Sequence, residues 1–152
     1  MPPAPAQETD TKDRITCHVL DTTLGQPARG MRVKLELLST TTTTTTTTVL
    51  PPNNNVVFES QTDDDGRVRA WLPYSSATSS GEVPVYTLED HHQQQHSTSS
   101  TWMLRFDSAG YFGGPDKTFY PEVQVVFTVR AGERYHVPLL LAPFGYTTYR
   151  GS

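Results

Sequence analysis

Hydrophobic and polar residues alternate along most of this chain with a period of two, which is typical of β-strands that have two different faces. The alternation predicts strands over residues 14–20, 31–38, 56–61, 67–72, 102–106, 122–129 and 135–142, and a short one at 146–149. Residues 108–114 allow a single helical turn before the glycines. We therefore predict an all-β fold, an antiparallel β-sandwich of about eight short strands.

Two polar tracts interrupt the alternation. Residues 39–55 contain an unbroken run of threonines, and residues 75–100 contain a segment rich in histidine, glutamine and serine. Neither tract can bury enough apolar surface to offset the entropy of ordering, so we predict that both are expanded surface loops. Residues 1–12 are rich in proline and are predicted to be a disordered lead, whereas residues 13–152 form one domain.

The composition excludes several classes of partner and location. The formal net charge is -4 and both signs are interspersed, which argues against nucleic acid or an anionic membrane as a partner. One cysteine excludes an intrachain disulfide, and no apolar run has the length of a membrane span. The N-terminal residues lack the features of a signal peptide, and Arg-Gly-Ser differs from the peroxisomal tripeptide Ser-Lys-Leu. The expected compartment is cytoplasmic or peroxisomal.

His18 and His136 each lie on the strand face opposite the large apolar residues. His18 alternates against Ile15, Cys17 and Val19, and His136 alternates against the large apolar residues of its own strand. If the apolar sets fill the interior, both histidines project outward, together with Leu20 and Leu140. They are then either ordinary surface histidines or part of a face that meets another subunit or lines a cleft between subunits.

Other polar residues leave similar alternatives. Arg67 and Arg150 are either solvated arginines or planar cations that hold an anionic or carbonyl-rich substrate through paired hydrogen bonds. Cys17 is interpreted as a core residue, because its neighbour His18 must point to the opposite face.

One cluster suggests a metal at first sight. His91, His92 and His96 could bind a metal ion, but they lie in a low-complexity tract without the spacing of a known site. We interpret them as loop residues, so this cluster predicts no metal site.

Several segments together resemble one family. They are ITCHVLDTTLGQPARGMRVKLEL at 15–37, TDDDGR at 62–67, LRFDSAGYF at 104–112, TFYPEVQVVFTV at 118–129 and YHVPLLLAPFGYTTYRGS at 135–152. In this combination and order, the chain resembles the 5-hydroxyisourate hydrolases of the transthyretin-like family. The closing Tyr-Arg-Gly-Ser is the feature that separates those enzymes from the related hormone carrier.

The resemblance implies a function and a site. It implies hydrolysis of 5-hydroxyisourate to 2-oxo-4-hydroxy-4-carboxy-5-ureidoimidazoline in urate catabolism, by a homotetramer without a cofactor. It implies catalytic roles for His18, Arg67 and His136. Substrate-binding roles are implied for His18, Arg67, Tyr149, Arg150 and Ser152. Two other interpretations stay open: a carrier that binds a small aromatic ligand in the same cleft without catalysis, and a β-sandwich interaction module.

Overall fold

The computed structural model describes residues 13–42, 47–49, 56–74 and 97–152. Its strands are β1 Ile15–Asp21, β2 Gln26–Pro27, β3 Arg32–Thr42, β4 Thr47–Val49, β5 Val57–Gln61, β6 Arg67–Val68, β7 Leu72–Tyr74, β8 Ser97–Phe106, β9 Val123–Arg130, β10 Tyr135–Ala142 and β11 Gly145–Thr148. A short helix, α1, spans Ser108–Phe112, and a 3-10 turn follows at Pro115–Lys117. No helix among the described residues is long and apolar enough to cross a membrane.

The strands form two sheets. The first sheet has the order β11-β10-β1-β2, with β6 also paired to β1. The second has the order β7-β5-β3-β8-β9, with β4 paired to β3. The predicted all-β sandwich is confirmed. The pair β1–β10 is parallel, whereas the other strand pairs among the described residues are antiparallel.

The core lies between the two sheets and follows the predicted alternation. In β1 the burial pattern alternates residue by residue, and the inward side chains are those of Ile15, Cys17 and Val19. The second sheet contributes the corresponding residues of β3 and β8, among them the fully buried Leu35, Trp102, Leu104 and Phe106. The predicted inward faces of these strands are therefore confirmed.

The single strand predicted over 67–72 is wrong. The chain forms β6 in the first sheet and then crosses to form β7 in the second sheet. Trp71 lies at the crossing, where its indole N–H donates to the carbonyl of Ile15 at 2.8 Å and its backbone N–H donates to the carboxylate of Asp13 at 2.8 Å. Its ring is buried. Burial of this large side chain favours the crossing over a continuous strand.

The predicted loops at 39–55 and 75–100 are wrong at their ends. Strand β3 continues to Thr42, β4 pairs with it, and β8 begins at Ser97, so that Thr40 pairs with both Thr48 and Ser100. Threonine is β-branched and favours strands, and ladder hydrogen bonds need no apolar side chain. Hydrophobic alternation misses such polar strands. The predicted lead at 1–12, the middle of both tracts, and His91, His92 and His96 lie outside the described residues.

Candidate active site

The parallel pairing of β1 and β10 brings the two candidate histidines together. Thr16 is in register with His136, and His18 is in register with Pro138. Both histidines are half-buried and lie on the face opposite the core, as the alternation predicts. Their ring centroids are 6.4 Å apart. One water molecule or one planar ring could therefore contact both imidazoles.

Arg67 reaches the same face through a tight turn. The carboxylate of Asp63 accepts hydrogen bonds from the backbone N–H groups of Asp65 and Arg67, both at 2.9 Å. Gly66 has φ +76°, and a Cβ there would collide with the carbonyl oxygen of Val19. The turn therefore needs glycine at this position. It places Arg67 in register with His18, in the antiparallel pair of β6 and β1.

Each histidine is anchored by a different group. Nε2 of His18 donates to the backbone carbonyl of Asp65 at 2.8 Å, in the turn that carries Arg67. Because a carbonyl oxygen can only accept, this contact fixes a proton on Nε2 of His18. Nδ1 of His136 lies 2.8 Å from the hydroxyl of Thr16. The two rings are therefore held by β1 and by the β5–β6 turn.

A cleft of about 320 Å³ opens beside these residues. Arg67, His136 and Ser152 line it, together with Thr16, Cys17, Val68, Tyr135 and four charged residues: Asp13, Arg14, Arg69 and Arg134. His18 is not among the lining residues, but it adjoins the cleft through its pairing with Arg67. Four arginines against one carboxylate make the lining basic, which suits an anionic or carbonyl-rich ligand.

The segment that follows β11 docks directly on His136. The backbone N–H of Gly151 donates to the carbonyl of His136 at 2.8 Å, and the two residues form an antiparallel bridge. A Cβ on Gly151 would lie 2.7 Å from Cδ2 of His136 and 3.0 Å from Cγ of Pro138. Glycine thus permits a close approach that delivers Ser152 to the cleft.

Arg150 lines a second cleft, which His136 also lines. Its guanidinium carbon is 4.7 Å from the ring centroid of Tyr135, and its Nη2 is 3.9 Å from the carboxylate of Glu133. Together with Tyr149 it lines this neighbouring cleft of about 600 Å³ between β9 and β10. The structure therefore brings His18, Arg67, His136 and Ser152 together, and it places Tyr149 and Arg150 next to them but outside the first cleft. The roles of all six stay predictions.

Cys17 has no place in this chemistry. Its side chain is fully buried among the inward residues of β1, which confirms the predicted core position. Burial raises the pKa of its thiol to about 12, because a thiolate would lose its hydration there. Only the thiolate is strongly nucleophilic, so this cysteine is inert at neutral pH.

Sequence reasoning missed two contacts of the site: Thr16 holds His136, and the Asp65 carbonyl holds His18. It included Gly151 in the closing Tyr-Arg-Gly-Ser but not the close approach of that residue to His136. Thr16 lies two residues before His18 on the same face, so the alternation could have indicated it. A backbone carbonyl leaves no residue-type signal in a sequence.

Comparison with known proteins gives the family. The HIUase/Transthyretin family model matches residues 15–151, and the chain therefore belongs to this family. A probable 5-hydroxyisourate hydrolase of Schizosaccharomyces pombe is 35% identical over 91% of this chain and 90% of that protein. The uric acid degradation bifunctional protein TTL of Arabidopsis thaliana is 37% identical over 91% of this chain but only 37% of that longer protein.

Solved structures match the fold of both branches of the family. The 5-hydroxyisourate hydrolase of Klebsiella pneumoniae superimposes with a TM-score of 0.54 at 22% identity, covering 91% of this chain and 98% of that one. Sea bream transthyretin in complex with thyroxine superimposes with a TM-score of 0.56 at 22% identity, covering 91% and 95%. Because the two scores are nearly equal, the fold alone does not separate enzyme from carrier.

Proposed function

We propose that this protein is a hydrolase that opens 5-hydroxyisourate to 2-oxo-4-hydroxy-4-carboxy-5-ureidoimidazoline. One observation carries the proposal: His18, His136 and Arg67 meet on one sheet face, beside a basic cleft. Relatives that are 35% and 33% identical to this chain over 91% of its length have 5-hydroxyisourate hydrolase in their names.

The chemistry follows from the residue types. Hydrolysis needs an activated water, stabilisation of the carbonyl oxygen that becomes negative, and a proton for the leaving ring nitrogen. A neutral imidazole is a suitable base near pH 7, because its unperturbed pKa lies close to that value. One histidine would take a proton from the water as its oxygen attacks the ring carbonyl carbon. The C–N bond then breaks, and a proton passes to the nitrogen.

Arg67 supplies the electrostatic stabilisation that the reaction needs. A guanidinium presents parallel N–H donors that can bind the oxygens of a planar ring and stabilise charge on the attacked carbonyl. Ser152, at the edge of the same cleft, adds a hydroxyl for the substrate. Arg150 and Tyr149 would bind substrate from the neighbouring cleft. No step requires a metal ion or an organic cofactor.

The direct experiment follows the ultraviolet absorbance of freshly generated 5-hydroxyisourate, made from urate by urate oxidase, with the spontaneous decay subtracted. We expect acceleration by the wild-type protein. His18→Ala or His136→Ala should lower turnover roughly 10²–10⁴-fold, the usual range for a general acid or base. Arg67→Ala should also lower turnover, whereas Arg105→Ala should not. Arg105 is the matched control, because it lies on the second sheet and pairs with Glu122 at 2.9 Å.

The carrier alternative predicts a different result. A folded protein that does not accelerate the decay, but binds a small aromatic ligand with micromolar or better affinity, would contradict the hydrolase assignment. The resemblance favours the enzyme, because the carrier branch replaces the histidines, Arg67 and the Tyr149–Ser152 segment that this chain retains.

We further propose that the protein is a homotetramer whose active sites lie between dimers. Large apolar side chains are exposed at two loops of the first sheet, with Leu24 64% and Phe144 82% exposed. Leu20 and Leu140 are also half-exposed on the histidine face. Exposed apolar side chains of this kind favour, under the proposal, a surface that another subunit covers. Native mass measurement tests the assembly, and a fully active monomer would contradict it.

A further inference from the structure

We propose that Thr16 is a positioning residue that fixes the tautomer of His136, with the proton on Nδ1 and Nε2 left unprotonated in the neutral ring. The inference rests on the proposed function only for its effect on turnover. Its structural part concerns three groups in β1 and β10: the Thr16 hydroxyl, Nδ1 of His136 and the carbonyl of Tyr135.

The register puts the hydroxyl in place. Thr16 is directly opposite His136 in the parallel pair, so neighbouring side chains on one sheet face meet. The oxygen of Thr16 lies 2.8 Å from Nδ1 of His136, which is the distance of a good hydrogen bond. Threonine is stiff at χ1 because it is β-branched, so the strand itself holds this hydroxyl in position.

Hydrogen counting gives the direction of the bond. A hydroxyl has one hydrogen to donate and can accept through its lone pairs. The Thr16 hydroxyl also reaches the backbone carbonyl of Tyr135 at 3.5 Å, and that carbonyl can only accept. Both contacts are satisfied together when the hydroxyl donates to Tyr135 and accepts from Nδ1–H of His136. The opposite direction would leave the hydroxyl no hydrogen for the carbonyl.

The arrangement gives the two histidines opposite tautomers. The Asp65 carbonyl fixes a proton on Nε2 of His18. With the Thr16 hydroxyl donating to Tyr135, the contact to His136 places a proton on Nδ1 of that ring. In each neutral imidazole, the hydrogen bond made by one nitrogen decides which of the two nitrogens carries the proton. The two rings then offer different nitrogens as bases. Thr16 therefore decides which atom of His136 can take part in proton transfer.

The experiment is nitrogen NMR of protein labelled with ¹⁵N-histidine, at a pH where His136 is neutral and without substrate. In the wild-type protein we expect a pyrrole-type signal for Nδ1 of His136 and a pyridine-type signal for Nε2. Thr16→Val keeps the branched shape but removes the hydroxyl, so it should move the ring toward a mixture of tautomers. It should also lower turnover about tenfold, which corresponds to the free energy of one lost hydrogen bond. Thr16→Ser should restore both.

Thr22→Val is the matched control. Its hydroxyl donates to the Leu141 carbonyl at 3.2 Å, also between the end of β1 and β10, but away from His136. It should leave the His136 signals and turnover unchanged. An unprotonated Nδ1 in the wild type would overturn the proposal even if Thr16→Val failed to fold. Unchanged tautomers in folded Thr16→Val, or no rescue by Thr16→Ser, would also overturn it. A wild-type protein without hydrolase activity would instead refute the proposed function, and the tautomer measurement would stand.

Discussion

Gly151→Ala places a methyl group where the structure has no room. The new Cβ would lie 2.7 Å from Cδ2 of His136 and 3.1 Å from Cδ of Pro138, whereas ordinary contacts begin at 3.4 Å. The segment or the imidazole must therefore move by about 0.7 Å. Pro138 is buried in β10 and has a rigid ring, so the displacement falls on His136 and on the Gly151–Ser152 backbone.

The size of the effect follows from that displacement. Misplacing a reacting group by about 1 Å can cost roughly 100-fold in rate, so we expect turnover to fall about 10- to 100-fold. In free energy this is about 1.4–2.8 kcal/mol of transition-state stabilisation. Loss of the 2.8 Å hydrogen bond from Gly151 to His136 should lower the free energy of unfolding by only about 1 kcal/mol. The variant should thus remain folded.

The assay is the decay of 5-hydroxyisourate, combined with thermal unfolding. Gly145→Ala is the matched control, because a Cβ at Gly145 meets nothing within 4 Å and its φ is not in the left-handed region. We expect the control to keep wild-type turnover. If Gly151→Ala were also fully active and left the nitrogen NMR signals of His136 unshifted, the docking of the Gly151–Ser152 segment on His136 would have no catalytic role.

Two further predictions concern residues outside the candidate active site. Tyr111→Phe should lower the free energy of unfolding by about 1.5–3 kcal/mol, since the Tyr111 hydroxyl donates at 2.7 Å to the carboxylate of buried Asp21. Burial and this carboxylate raise the pKa of Tyr111 to about 12, so its stabilisation is present below about pH 10 and lost as pH rises toward 12. Denaturant titrations should show this loss in the wild type and not in Tyr111→Phe. Deleting residues 77–95 should leave turnover near the wild-type value; loss of activity in a folded deletion variant would assign that tract a role.

The alternation of residues was sufficient to predict the two faces of each main strand. Because strand side chains alternate strictly, the pattern also placed His18 and His136 outside the core. It could not predict that β1 and β10 are adjacent and parallel, since pairing is a long-range property. That pairing is what turns two surface histidines into one site.

The errors have a common physical cause. Apolar alternation detects burial and not backbone pairing, so it overlooked the polar ends of β3 and β8. It also joined residues 67–72 into one strand, because nothing in the pattern showed that Trp71 turns inward where the chain changes sheets. Contacts made by backbone atoms, such as the Asp65 carbonyl with His18, were likewise invisible.

The placement of the site explains how this chain accommodates its polar tracts. The strands that carry the candidate residues, β1, β6 and β10, belong to the first sheet, and the Gly151 bridge extends it. Both tracts join strands of the second sheet: one lies between β3 and β5, the other between β7 and β8. The entropy of closing a loop grows only logarithmically with length, so lengthening these connections costs little stability. Among the described residues that line the two clefts, none belongs to these connections. We therefore expect the site to tolerate a change in their length far better than a shift of about 0.7 Å at Gly151.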